Sequence, residues 1–547
     1  MMSEFSLSKE DVPSFYLLTK NSPEFEPVSV NISDTTDFTY YEEGIGETNA
    51  LDDEGEKEDE QISRRIAELE DKNEFDVDTV LGIQVEKING AKIKGTYQNY
   101  LQLMMKKHEE KLTTVSGDFI VIDSYDGAEH SRNDEGRTNV LSYSSQVFNN
   151  QTLAMGTSTS SSFNILTWMQ MVGEEKPANI FPVVKDHYDE KHRMRSASSV
   201  VENCTFNYYD CHDGKMLYIL TQHGLWNRKF APFLLCKCKR GDAVESNTHE
   251  CQIISNEEQV TLYSRSERRF NRAKDKHGEG YSRGDHMDWA DKNNNGVTHF
   301  GIHPNKLRRD GIRFDIFHLR SAITRLLLNY LRRFIRAQTC STMEAFAEIL
   351  SNAWGPYHMS LWKCNKALTS LKGKQILKFI KTIPKVVEFL YENFVDTEKL
   401  KAFCNALEKW NWISAFISIT TVVKLDATPS EESEQKADYV QKLDLFDQNV
   451  RTFYECGAKT FLTRSKVGDS ETFYAHVLRC YLPKHARTTW ETHSLGLGVF
   501  NMQGFERRNK ESKNTMRRFT NKKGNMALQN MKRLWYVFFM VQHLSKQ

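Results

Sequence analysis

The chain has 547 residues, 39% hydrophobic and 27% charged, with 73 basic and 73 acidic side chains. This is a globular composition too long for one simple core, so two or three domains, or one domain with large insertions, are expected. No run approaches the roughly 20 apolar residues that span a bilayer, and the first thirty residues lack the pattern of a secretory leader. The expected setting is therefore intracellular, with the 10 cysteines as reduced thiols or metal ligands.

In chain order, residues 1–80 are rich in Ser, Asp, Glu and Thr and are expected to form an acidic flexible arm, with a short helix at 62–69. Residues 81–203 begin an α/β core. A helix bearing Tyr100, Leu101, Leu103, Met104 and Met105 precedes a strand at 119–122 that turns at Gly127, and strands at 140–147, 152–156 and 216–220 bring the sheet to four or five by Phe314. Residues 204–310 are a loop-rich insertion. Residues 311–335 supply a core strand and a helix, in which Leu319, Ile323, Leu326, Leu327, Tyr330 and Phe334 recur at helical spacing. A helical insertion, 336–470, contains segments at 343–350, 375–380, 386–391, 400–412 and 437–454, with a polar break at 428–434. Helices in 471–547, including 526–544, close the core.

Three carboxylates stand out by their flanks: Asp126 in FIVIDSYDGAEH, Asp315 in IRFDIFHLR, and Glu506 in GVFNMQGFERRNK. The first two follow apolar β-type runs and the third opens a basic helical stretch. Phosphodiester chemistry with two divalent ions needs acids that converge from separate elements, because Mg²⁺ takes near-octahedral oxygen ligands. Each acid also has a plain structural reading. Asp126 before Gly127 suits an Asx turn, Asp315 suits a helix N-cap, and Glu506 four residues before Lys510 suits an exposed ion pair. Asp123 is a rival first ligand.

The segments DSYDGAEH, GLWNRKFAPFLLCKCKRGD, FDIFHLR and SLGLGVFNMQGFE, spread over about 120–520, together resemble the DDE transposases with a ribonuclease H-like core, nearest to the Kyakuja-Dileera-Zisupton superfamily. The resemblance implies that Asp126, Asp315 and Glu506 hold two Mg²⁺ or Mn²⁺ ions and that His318 orients Asp315 or approaches the scissile phosphate. It also implies that a cut DNA strand is joined through its 3′ hydroxyl to target DNA. The sequence departs from the family in two places: Met502 stands where the family has a first Glu, and no DNA-binding finger precedes the core.

Cys236-x-Cys238 and His249-x-Cys251 offer four soft ligands in two close pairs, the set zinc prefers, as a clip for the insertion. Cys204, Cys211, His212 and His223 are substitutes, and the other reading makes Cys236 a buried apolar residue. Arg507, Arg508, Lys510, Lys513, Arg517 and Arg518, continuing to Lys523, have the cation density of a DNA phosphate surface, with a second patch at Lys306, Arg308 and Arg309. Trp226, Asn227 and Arg228 offer a base-stacking platform. DKNNNG from Asp291 imitates a calcium loop but reaches Ile302 at its twelfth position, which excludes it.

The expected function is DNA cleavage and strand transfer, with transposon ends and target DNA as partners, a homo-oligomeric assembly, no membrane, and a nuclear location in a eukaryote. A catalytically silent domesticated transposase, acting as a DNA-binding or scaffold protein, is the alternative. A zinc-stabilised binding module is a third reading.

Overall fold

The computed structural model describes residues between 85 and 519, with principal gaps at 106–116, 196–202, 224–232, 239–250, 351–372 and 463–471 and several shorter ones. The expected arm at 1–80, its helix at 62–69 and the terminal helix at 526–544 lie outside the described residues.

Two short strands, β1 (Val85–Ile88) and β2 (Gly90–Ile93), precede a long hairpin of β3 (Gly117–Asn133) and β4 (Gly136–Phe148). A short helix α1 (Asn150–Ala154), strand β5 (Leu166–Gly173) and helix α2 (Pro177–Arg195) lead to β6 (Cys204–His212) and helix α3 (Gly214–Thr221). Among the described residues, β7 (Ile312–Phe314) completes one sheet of order β1-β2-β5-β4-β3-β6-β7. Strands β3, β4 and β5 pair antiparallel, whereas β6 runs parallel to β3 and β7 parallel to β6. A parallel return requires a crossover, and α2 supplies the one between β5 and β6. The fold is thus mixed α/β, as expected.

Phe119, Ile120, Val121 and Ile122 are all buried, so the central strand is covered on both faces and reads as an unbroken apolar run. The strand does not turn at Gly127. It continues to Asn133, with Gly127 paired to Leu141 and a register shift only between Glu129 and Ser131, so the Asx-turn reading of Asp126 is corrected. Two expected strands are helices. Asn149 accepts the Thr152 N–H at 2.8 Å to start α1, and Asp213 accepts the Met216 N–H at 2.6 Å to start α3. Short apolar runs do not distinguish strand from helix by periodicity, and these caps decide the outcome. Strands β5 and β6 carry Gln170, Thr167, Asp210 and His212 inward, which conceals them from a hydropathy reading. Consequently β6 and α3, inside the segment expected to open the insertion, belong to the sheet layer.

The insertion contains α4 (Asn256–His277) and α5 (Arg283–Asn293). After β7 come α6 (Ile316–Arg336), α7 (Gly373–Asn393), α8 (Glu398–Phe416) and α9 (Pro429–Ala458). The segments expected at 375–380 and 386–391 form the single helix α7, with Pro384 inside it. The polar stretch 428–434 is no break. Thr428 and Glu431 form a reciprocal capping box with Pro429 in the first turn, the arrangement that starts a helix. The core of this layer is aromatic: fully buried Trp410 donates to Thr324 at 3.0 Å, and Phe416 stacks on Phe446 and Tyr439. Helices α10 (Phe473–Cys480), α11 (Leu482–His493) and α12 (Gln503–Phe519) return the chain to the sheet, where α12 packs on β3 and β4.

Candidate catalytic site and metal centre

Alternation along β3 separates the two rival aspartates. Side chains of a strand point alternately to opposite faces, so Asp123 and Asp126, three residues apart, lie on different sides of the sheet. Asp126 faces α12, where Asn509 Nδ2 donates to its Oδ2 at 2.5 Å. The same face carries Ser142 and Gln170, and Gln170 reaches Ser512 of α12 at 2.7 Å. Asp123 faces α2, fully buried against Lys191 Nζ at 2.7 Å.

Asp315 ends β7 and opens α6. Its Oδ1 accepts the Phe317 N–H at 2.8 Å and the Met502 N–H at 3.2 Å, and its Oδ2 meets His318 Nδ1. The capping reading and the site reading therefore coexist in one side chain. The other ring nitrogen of His318 lies 3.3 Å from Glu506 Oε1. Burial alone would lower the His318 pKa, but Asp315, then Glu506 and Asp126, outweigh it and hold the imidazolium up to about 10. Glu506 is raised by burial, opposed by His318, and raised further by Asp315 and Asp213. Asp126, Asp315 and Glu506 thus share one electrostatic site centred on His318, with Asp213 at the start of α3 close enough to act on Glu506. Asp213 and Asn509 were not singled out from the sequence. Neither is marked locally: Asp213 follows CTFNYYDCH, whose Asp210 and His212 break the apolar pattern, and Asn509 lies within a polar helical stretch.

Close backbone packing sets the position of Glu506. Gly498 N donates to Ile419 O at 2.7 Å, and a Cβ on Gly498 would fall 2.4 Å from Ser418 O. A Cβ on Gly504 would fall 2.7 Å from Thr159 O. The glycines of SLGLGVFNMQG therefore let the chain pass close to neighbouring carbonyls and seat the first turn of α12 against the sheet.

Beneath the site, on the opposite face, Lys191 Nζ bridges Asp123 at 2.7 Å and Asp210 at 2.8 Å, with all three side chains fully buried. Ser145 donates to Asp123 at 2.5 Å and Tyr188 to Asp210 at 3.0 Å. Burial would raise both carboxyls, yet Lys191 first, then His187 at Asp123 and His212 at Asp210, hold them well below the usual carboxylate range. Asp123 is a structural ion-pair partner, which removes it as a first ligand on this face.

The cysteine cluster assembles with a different fourth member from the one expected. Cys236, Cys238, Cys251 and His476 present ligand atoms all within 4.8 Å of one another. His249 lies outside the described residues, and α10 supplies His476 from 225 residues further along the chain than Cys251. A sequence reading of adjacent pairs could not find it. Cys236 Sγ lies 3.2 Å from His476 Nε2, and Cys238 Sγ lies 3.5 Å from Cys251 Sγ. Ligand sulfurs on a zinc tetrahedron stand about 3.8 Å apart, so the three sulfurs and one imidazole can hold a metal ion such as zinc. His476 also stacks on Phe233 at 3.4 Å, and Tyr481 donates to Cys236 at 3.0 Å, contacts that fix the ligand orientations. The substitutes Cys204 and Cys211 are buried in β6, apart from this group. The described cysteines form no disulfide.

The expected basic surfaces need correction. Arg508 is buried at 1% exposure, because Arg508 and Ser512 share the face of α12 turned to the protein, while Lys510 is exposed and Arg507 intermediate. The side chains of Lys513, Arg517 and Arg518, and residues 522–523, lie outside the described set, as do Trp226, Asn227 and Arg228. The second patch is not free: Lys306 pairs with Asp189, Arg308 with Asp310, and Arg309 is buried. Among the described residues no helix is long and apolar enough to cross a membrane. No family model matches the sequence, and no curated protein matches it.

Proposed function

We propose that this chain cuts and joins DNA strands as a DDE-type transposase built on a ribonuclease H-like core. The observation that carries the reading is the convergence of Asp126, Asp315 and Glu506 from β3, the β7–α6 junction and α12 on one sheet face. The sheet order, with β4 and β5 antiparallel on one side of β3 and β6 and β7 parallel on the other, is compatible with such a core.

The donor set suits hard divalent cations, since it consists of carboxylate oxygens and already surrounds a cationic imidazolium. Asp126, Asp315 and Glu506 would hold Mg²⁺ or Mn²⁺, which when bound stabilises charge on the attacking and leaving oxygens of an in-line displacement. The chain's other residues set the geometry. Asn509 fixes one oxygen of Asp126, the Met502 N–H fixes Oδ1 of Asp315, and His318 orients Asp315 and Glu506 relative to each other. Met502 therefore contributes its backbone donor where the family has a carboxylate.

A catalytically silent DNA-binding descendant is favoured by one observation: His318 already occupies the space between Asp315 and Glu506 and pairs with both. A plasmid-nicking and strand-transfer assay with Mg²⁺ or Mn²⁺ separates the two. Activity in the wild type that is lost in Asp315→Asn supports the transposase. Equal activity in both refutes the site, and folded protein inactive in both supports the silent alternative. In a eukaryotic host this reading places the protein in the nucleus.

A further inference from the structure

Helix α4 carries a cationic ridge that none of the sites above uses. Arg265, Arg268, Arg269, Arg272 and Lys276 are exposed and fall at i, i+3, i+4, i+7 and i+11, which places them on one face of a helix of 3.6 residues per turn. Among the described residues none of the five makes an ion pair. Two acids adjoin the ridge in sequence: Glu267 projects from the opposite side of the helix, and exposed Asp275, three residues after Arg272, flanks the ridge without forming an ion pair with it, while Glu258 is engaged by Lys237 at 2.7 Å.

The other face of α4 is committed to the protein. Leu262, Ser266 and Ala273 are buried, and Ser266 Oγ lies 2.8 Å from His286 Nε2 and 3.1 Å from His299 Nδ1. Arg265 and Arg269 lie over the Trp289 ring, 5.9 Å from its centroid, so the ridge is braced from beneath. The unit is tied to the sheet layer at the far end of α3. Ile302 N donates to Leu220 O at 2.8 Å and Thr298 Oγ1 to Gln222 O at 2.6 Å, and a Cβ on Gly301 would fall 2.1 Å from Thr221 O. Helix α3 is capped by Asp213, whose charge acts on Glu506, and its eight residues span about 12 Å.

We infer that the α4 ridge binds the sugar-phosphate backbone of duplex DNA flanking the point of cleavage. The inference rests on the DNA reading of the carboxylate site. From Arg265 to Lys276 the ridge runs about 17 Å, the axial length of about five base pairs. Guanidinium groups, which dominate the ridge, offer forked donors that match phosphate oxygens. A lipid surface fits poorly, because a helix that lies on a membrane inserts its apolar face, and here that face is packed inside the protein.

Duplex affinity measured by fluorescence anisotropy across a salt series tests this, with the full chain as wild type, as an Arg265→Gln, Arg268→Gln, Arg272→Gln triple variant, as the corresponding Lys triple variant, and as Glu506→Gln. Three lost phosphate contacts should reduce the slope of log K against log salt by about 2.7, and at about 0.15 M salt weaken binding roughly a hundredfold. The Lys variant should keep the slope, and Glu506→Gln should keep binding while losing cleavage. An unchanged slope in a Gln variant of normal melting temperature overturns the inference, as does loss of binding to phosphatidylserine vesicles with duplex affinity intact. Wild-type protein that binds through the ridge but cuts nothing leaves the ridge standing and refutes catalysis. Cleavage with undiminished binding in the Gln variant does the reverse.

Discussion

Replacing Lys191 by Met should destabilise the fold more than any surface charge change, and the structure fixes the expected size. At an effective dielectric of about 20, a contact of 2.7–2.8 Å corresponds to about 6 kcal/mol of Coulomb attraction. Two such contacts oppose a desolvation cost of several kcal/mol for each of three buried ions. The net value of the intact triad is therefore small, but removing its cation strands Asp123 and leaves its register neighbour on β6, Asp210, with only the more distant Arg195 at 3.6 Å. Breaking a buried pair in this way costs about 3–5 kcal/mol, or a fall in melting temperature on the order of 10 °C. The sign with pH follows from the depressed carboxyl pKa values. Their stabilisation in the wild type is present above the unfolded value of about 3.8 and is lost as pH falls through the folded ones. In Lys191→Met the stranded carboxylates can take up protons, so the deficit should shrink below pH of about 4. Urea denaturation at neutral and acid pH measures both effects. A deficit under about 1 kcal/mol at neutral pH, or one that grows in acid, would refute the triad as a structural element.

Metal analysis of purified protein should find one zinc per chain at the Cys236, Cys238, Cys251 and His476 group. His476→Ala or Cys251→Ser should lose it and lower the melting temperature, while His249→Ala should retain it. Zinc lost with His249 and kept without His476 would contradict the assignment. Burial lowers the pKa of His286 and His493 to about 4, so both fold neutral. Their contribution is present above the unfolded value of about 6.5 and declines towards pH 4, by at most about 1.4 kcal/mol per pH unit per histidine. His493→Gln should flatten this acid slope in denaturation curves, and an identical slope would count against it.

The helical layer and central strand were legible because their apolar patterns are regular: α6 repeats Leu319, Ile323, Leu327 and Leu331 inward. Four strands went unread, β1, β2, β5 and β6, and of these β5 and β6 carry buried polar groups satisfied by partners remote in sequence, such as Lys191 for Asp210. For the same reason His476 was invisible beside the cysteine pairs, since proximity there is created by α10 folding back. The acids Asp126, Asp315 and Glu506 could be picked from their flanks, but the choice between Asp126 and Asp123 needed the sheet faces. The basic stretch after Glu506 misled because helical periodicity turns Arg508 inward, a consequence that charge density alone does not show.

The most direct measurement is anomalous diffraction from crystals soaked in Mn²⁺. Two peaks roughly 4 Å apart are expected between the carboxylates of Asp126, Asp315 and Glu506, with His318 released from at least one of its acid partners. Crystals that diffract well, carry Mn²⁺ elsewhere and show none among these three side chains would contradict it.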